Sequence, residues 1–379
     1  MSVYLDNAAT TRPCAEAVAA VETCLKETYG NPSSLHAEGV AAWRILTAAR
    51  KSIAAGLSCE PECVLFTSGA TESNNLALLG AARARRRRGN RIVSTAVEHP
   101  SVASALTALE DEGFEVIRVL PDGEGIYRSE DFLAAVNEDT ILCSMMLVNN
   151  ETGAILPAVE TFSTVKRRFP AVVTHCDAVQ AFGKLPLFVS RLHADLVSVS
   201  AHKLHGVKGC GALYIAKGTR ILPLFHGGGQ EGGLRPGTES VPLIAGFAAA
   251  VEVALPHLQR NAERALELRA YALEKLTALA NVTVLSRGEC SPYLLNVSVS
   301  GVRSEIMLHF LETHGVYVSS GSACAKGRKS GVLASFGHNE QAIDGALRIS
   351  LSRENTTEDI DALVEGVRQG IQRFRPMGR

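Results

Sequence analysis

A mostly parallel α/β fold with a smaller α+β region behind it is what this sequence predicts, and three observations carry the prediction. From about residue 36 to residue 255, short apolar runs rich in β-branched residues alternate with stretches of helical period, as in a layered α/β domain. Further on, strand and helix candidates recur in a different order and form a second, smaller unit. A chain of 379 residues also exceeds one simple core, so two domains are expected. Residues 14–255 form the large domain in this reading, with a seven-stranded sheet flanked by helices. Residues 1–13 and 256–379 form the small one.

Taken in order, Ala37–Leu57 opens the alternation as a long alanine-rich helix. The strand candidates are Val64–Thr67, Ile92–Thr95, Glu115–Leu120, Ile141–Val148, Val172–Cys176, Leu196–Ser200 and Ala212–Ile215. Helical period fills several gaps between them, at Glu72–Arg87, Ser101–Glu112 and Val159–Phe169. Only a Gly-rich loop separates Leu196–Ser200 from Ala212–Ile215, which permits one antiparallel neighbour. A long helical pattern, Pro242–Leu279, leads into the second region. There Val282–Leu285, Leu294–Val299 and Tyr317–Ser319 read as strands, and Ser304–His314, Glu340–Ala346 and Thr357–Phe374 as helices.

Composition narrows the partners. With a formal net charge of −1 and 20% charged residues, the chain is not built around nucleic acid or a membrane surface. The run Arg83–Arg88, closed by Gly89, reads as the solvated last turn of a helix, where cations suit the macrodipole. No unbroken apolar stretch has the length of a membrane span, and the first residues lack a signal-peptide layout, so a cytoplasmic location is expected. Nine cysteines, an odd number in a large chain, point to free thiols. Cys59 and Cys63 have no second pair at ligand spacing, so zinc is not expected.

The chemistry gathers at strand ends, where open α/β sheets bind ligands. Val64–Thr67 runs through Ser68 and Gly69 to Ala70, Thr71 and a helix start, a place for an anion; Ser68 and Thr71 serve equally as plain helix caps. Ile92–Thr95 leads to His99, Ile141–Val148 to Asn149 and Asn150, Val172–Cys176 to Asp177 and Gln180, and Leu196–Ser200 to His202 and Lys203. One such residue is usually a satisfied structural group. Five polar ends are harder to explain so, because a buried polar group without a partner costs about 1–3 kcal/mol. Lys203 with Asp177 suggests pyridoxal phosphate, which needs a Schiff-base lysine, an acid facing the ring nitrogen and an anion site. A nucleotide is the rival, but Gly227–Gly233 lacks Rossmann spacing and no Walker sequence is present. In the second region Cys324 lies among Gly, Ser and cationic residues, a setting that favours thiolate if it is more than an idle surface thiol. Arg348 sits inside an apolar strand, where a substrate carboxylate and a structural ion pair serve it equally well.

These residues stand in motifs that resemble a known family. "YLDNAATTRP", "GNPSSLH", "TSGATESNN", "EHPSV", "VNNETG", "DAVQAFGK", "SVSAHKLHGVKG", "RPGTES", "SSGSAC" and "LRISLSR" occur in order along essentially the whole chain. Together they are similar to the cysteine desulfurases of the NifS/IscS type, fold-type-I pyridoxal-phosphate enzymes of the class V aminotransferase kind. The resemblance implies that Lys203 holds the cofactor, Asp177 pairs with its ring nitrogen, Gln180 bonds its ring oxygen, and His99 stacks on the ring and moves protons. It places Ala70, Thr71, Ser200 and His202 on the phosphate, with Thr238 supplied by the other subunit of a homodimer. Arg348, Asn150 and Asn31 would fix the carboxylate of L-cysteine, and Cys324 would take the sulfur as a persulfide for an acceptor protein. The segment after Cys324, "AKGRKSG", looks shorter and more basic than in well-known members, which leaves open the acceptor and the balance between cysteine and selenocysteine; "RPGT", where many relatives carry a serine before the glycine, is a minor variation. The rival readings are a selenocysteine lyase on the same scaffold, a plain aminotransferase, and a non-catalytic sulfur carrier.

Overall fold

Strand β1 (Val3–Tyr4) begins the chain, and a helix at Ala15–Glu27 and a longer one at Ala37–Leu57 follow. The structure, a computed structural model, describes residues 2–320 and 330–374. The large sheet is built from β2 (Val64–Thr67), β3 (Arg91–Thr95), β4 (Glu115–Val119), β5 (Thr140–Met146), β6 (Val173–Asp177), β7 (Leu196–Ser200) and β8 (Gly211–Ile215). Their order is β2-β8-β7-β6-β5-β3-β4, and β8 alone runs antiparallel to its two neighbours. The expected seven-stranded, mostly parallel sheet is therefore present. Its inner strands β5, β6 and β7 are buried on both faces, which accounts for near-continuous apolar runs in place of strict alternation.

A smaller antiparallel sheet contains β9 (Val282–Val284), β10 (Leu294–Val299), β12 (Ser319–Ser320) and β13 (Ala346–Ser350), in the order β12-β13-β10-β9. Between them β11 (Val316–Tyr317) pairs in parallel with β1, so the amino terminus is tied to this part of the molecule. The single strand read at Tyr317–Ser319 is thus two short ones with different partners. The long helix read at Pro242–Leu279 also divides, into Val241–Ala254 and Leu258–Thr277 with a 3₁₀ turn at Leu255–His257. Pro256 has no N–H to give the preceding turn. The segment Val241–Thr277 passes for a membrane span by length and mean hydropathy, although Glu252 and the turn at Leu255–His257 interrupt it. Its apolar part instead packs against the helices Ala15–Glu27 and Ala37–Leu57, with Ile244, Phe247, Ala250 and Val251 buried. The arginine run is solvated as expected, with Arg83, Arg86, Arg87 and Arg88 exposed, and it makes surface contacts: Arg83 pairs with Glu112, Arg85 donates to the Arg220 carbonyl, and Arg86 lies over the Phe114 ring.

The middle of the sheet holds an unannounced polar group. His175 on β6 lies between Ser144 of β5, 2.8 Å from Nδ1, and Ser198 of β7, 3.1 Å from Nε2. Burial pushes this imidazole down to about 3. In the unfolded chain it titrates near 6.5, so between roughly pH 6.5 and 3 only the unfolded state takes the proton. Stability is therefore lost as pH falls through that window, by about 1.4 kcal/mol per pH unit for one proton. His175→Gln, which can still reach both serines, is expected to flatten the unfolding free energy against pH by one proton between pH 6 and 4. Chemical denaturation across that range measures it.

Candidate active site

The carboxyl ends of β6 and β7 meet here, with Asp177 closing β6 and Lys203 ending the 3₁₀ turn Ala201–Lys203 after β7. Asp177 is 5% exposed and accepts from Asn74 Nδ2 at 2.8 Å and from the Val179 N–H at 3.1 Å. Asn74 Nδ2 also donates to Ser101 Oγ at 2.9 Å, and Ser101 Oγ is 2.8 Å from His99 Nδ1. His99 caps the helix Pro100–Asp111. Burial lowers its proton affinity first; Asp177 pulls it up and Lys203 pushes it down. Beside it, Glu98 is driven up to about 8 by burial, a hydrogen bond from the Met146 N–H opposing this and Asp177 adding to it.

Lys203 is gripped by the amino-terminal segment, donating to the carbonyls of Ala8 and Ala9 at 2.7 Å each. Gln180 Nε2 donates to the same Ala8 carbonyl at 2.9 Å, so one backbone oxygen joins Lys203 and Gln180. Gln180 Oε1 accepts from Lys184 at 3.1 Å. Lys184 is buried, and burial, then Lys203 and Arg348, push it down to about 7. His202, whose Nδ1 is 3.2 Å from Thr10 Oγ1, is held down to about 4 by burial and then by Lys203.

The helix Ala70–Arg85 begins at Gly69, with φ 153° and ψ 176° and no side-chain cap, so neither Ser68 nor Thr71 caps it as the plain reading allowed. That backbone geometry is open only to glycine. A Cβ there would touch nothing within 4 Å, so the first turn faces open space. Close by, a Cβ on Gly211 would fall 2.7 Å from the Gly69 Cα, so β8 approaches this turn as only glycine permits. Ser200, buried at the end of β7, leads into the Lys203 turn.

Arg348 on β13 is also buried, and its Nη2 pairs with Asp6 Oδ1 at 2.7 Å while Nη1 donates to the Asn150 carbonyl at 3.1 Å. The structural ion pair is therefore present, yet Arg348 Nε is buried without a partner. Next to Asn150, Glu151 accepts from Ser330 Oγ at 2.5 Å and is raised to about 7 by burial, against that bond and Arg348. Two predicted residues are not brought to this cluster by their contacts. Asn31 is exposed, its Oδ1 accepting from the Ser33 N–H, and Thr238 is exposed beyond the Gly-rich stretch. Cys324 lies outside the described residues. Asn74, Ser101, Lys184 and Asp6 belong to the cluster without having been singled out. All four lie inside the quoted motifs, and Lys184 stands four residues after Gln180, which is the one signal that pointed to them.

The profile of the class-V aminotransferases matches residues 3–363, and the chain belongs to that family. Members of this family are pyridoxal-phosphate-dependent enzymes. Within it, the chain is 39% identical to a protein of Methanosarcina thermophila named cysteine desulfurase IscS, over 99% of this chain and 93% of the other. Among solved structures it superposes on a NifS-like protein with a TM-score of 0.93 at 37% identity, covering 98% of this chain and 100% of that one. It also matches SspA in complex with cysteine, with a TM-score of 0.82 at 30% identity, over 94% and 100% of the two chains.

Proposed function

We propose that this protein is a homodimeric, cytoplasmic cysteine desulfurase. It takes the sulfur of L-cysteine onto Cys324 as a persulfide, releases L-alanine, and passes the sulfur to an acceptor protein of iron–sulfur cluster or thio-cofactor assembly. The observation that carries this reading is the placement of Lys203 and Asp177 at the ends of neighbouring strands, both acting on the proton affinity of His99.

The side chains present fit pyridoxal phosphate. Lys203 supplies the amine for covalent attachment and Asp177 the acid for the ring nitrogen. The uncapped turn at Ala70 and Thr71, with Ser200 and His202, offers donors to the phosphate. When bound, the cofactor supplies an electron sink for charge developing at the substrate Cα. Gln180, whose Nε2 donates to the Ala8 carbonyl here, would give that donor to the ring oxygen, and His99 would carry the proton moved at the substrate. Arg348, with its unpartnered Nε, exchanges Asp6 for the substrate carboxylate, and Asn150 and Asn31 assist. Cys324 attacks the substrate sulfur: an S–S bond forms, the Cβ–S bond breaks, and its electron pair leaves with the alanine carbon skeleton. Thr238 reaches the phosphate of the other subunit. Support for the dimer comes from exposed Leu35, Trp43 and Phe225, and from a groove lined by Pro32, Trp43, Leu46, Gly229 and Leu234.

Alanine release from L-cysteine and from L-selenocysteine, measured side by side, tests the reading. Cys324→Ala is expected to stay yellow and bind L-cysteine while alanine release falls roughly 10²-fold. Undiminished release from L-cysteine by that variant would remove the persulfide role. Release from L-selenocysteine alone would make the protein a selenocysteine lyase.

A further inference from the structure

Asp177 and His99 are joined by hydrogen bonds whose direction the atoms determine. Asn74 Nδ2 has two hydrogens, and its two neighbours are Asp177 Oδ2 at 2.8 Å and Ser101 Oγ at 2.9 Å. Turning the amide over would set its oxygen against the carboxylate, so both hydrogens are committed as described. Having accepted from Asn74, Ser101 Oγ directs its own hydrogen to His99 Nδ1 at 2.8 Å. The Ser101 backbone N–H donates to the same nitrogen at 3.1 Å. With two donors facing it, Nδ1 is an acceptor, and the ring hydrogen sits on Nε2.

Helix capping explains only part of this. The Ser101 N–H bond to His99 is an ordinary cap; the Oγ bond and Asn74 are not needed for it. Asn74 is fully buried and its Oδ1 has no partner. A position serving only the core would be better filled by an apolar side chain, since an unpartnered buried polar atom is destabilising.

We propose that Asn74 and Ser101 are positioning residues that hold His99 in its neutral, Nε2–H form and make its proton affinity answer to the charge on Asp177. The proposal rests on the reading of His99 as the proton carrier of a pyridoxal-phosphate enzyme. Protonating His99 puts a hydrogen on Nδ1 against the two hydrogens of Ser101. The hydroxyl can turn away only by giving up its place in the chain, and the backbone N–H cannot turn at all. The other charged or titratable groups acting on His99 are Asp177 from β6 and Lys203 and His202 from the turn after β7. The direction of its shift accords with a ring held neutral.

Histidine-selective ¹⁵N NMR on the full chain without cofactor reads the result directly, with His99→Gln assigning the signal. The wild-type spectrum is expected to show an unprotonated Nδ1 and a protonated Nε2. Ser101→Ala and Asn74→Leu are each expected to raise the His99 titration midpoint by about 0.5–1 pH unit. The double variant should match the larger single effect, because the two act in series, and Ser101→Thr should restore the wild-type midpoint by keeping the hydroxyl. In the loaded enzyme the acidic limb of kcat/KM against pH should move with the midpoint. A midpoint unchanged within 0.2 unit in folded Ser101→Ala and Asn74→Leu, or a protonated Nδ1 in the wild type, overturns the proposal. Because the NMR needs no cofactor, a wild-type protein that never turned yellow would count against the enzyme reading and leave the positioning result standing.

Discussion

Lys203→Ala is expected to lower alanine release from L-cysteine by roughly 10³-fold or more and to abolish the visible absorption band of the loaded protein. The variant removes an ammonium whose contacts include the Ala8 and Ala9 carbonyls. It leaves the chain's other grips on this segment in place: Thr11 N–H and Oγ1 still donate to the His202 carbonyl, and Cys14 N–H to that of His205. The fold should therefore survive, and circular dichroism can show it. Absorption spectra with added pyridoxal phosphate, alongside an alanine assay, decide the matter. Release above a tenth of the wild-type rate would mean that Lys203 is not the point of attachment.

Asp177→Asn should lower turnover by about 10²–10⁴-fold with little change in fold. The carboxylate accepts from Asn74 Nδ2 on Oδ2 and from the Val179 N–H on Oδ1, so an amide of the same shape keeps one of these bonds and turns its NH2 toward the other donor. What is lost is the negative charge that would keep the ring nitrogen of the cofactor protonated. The substitution keeps the shape, and removes the charge together with one hydrogen bond. Steady-state kinetics with L-cysteine measures it, and a rate within threefold of wild type would remove the electron-sink role from Asp177.

Much of this architecture was legible because each strand of the large sheet is a compact apolar run ending in polar residues. Val64–Thr67, Leu196–Ser200 and the helix Ala37–Leu57 have the expected bounds, as do Leu294–Val299 and Thr357–Phe374 further on, and the other strands read in the large sheet shift by one or two residues. The helix Ala15–Glu27 escaped notice because its buried residues are only Ala17 and Cys24, and Cys14 before it makes no side-chain cap. Lys203, Asp177, His99 and Gln180 could be read as candidates because they directly follow strands. Asp6 could not, since its partner Arg348 is 342 positions away and only tertiary closure brings the two together. Asn74 and Ser101 looked like interior residues of helices, and their part emerges only when the Ala70–Arg85 and Pro100–Asp111 helices lie side by side. Asn31 and Thr238 are exposed, and their contacts do not bring them to the cluster.

One short ribbon of backbone, residues 6 to 9, holds the guanidinium of Arg348 at one end through Asp6 and the amine of Lys203 at the other through Ala8 and Ala9. In the proposed enzyme an acid seated on the guanidinium would displace the Asp6 carboxylate, while Asn7 and Ala8 would stay bonded to Ser350. The same four residues therefore join the arginine proposed for the substrate carboxylate to the lysine proposed for the cofactor.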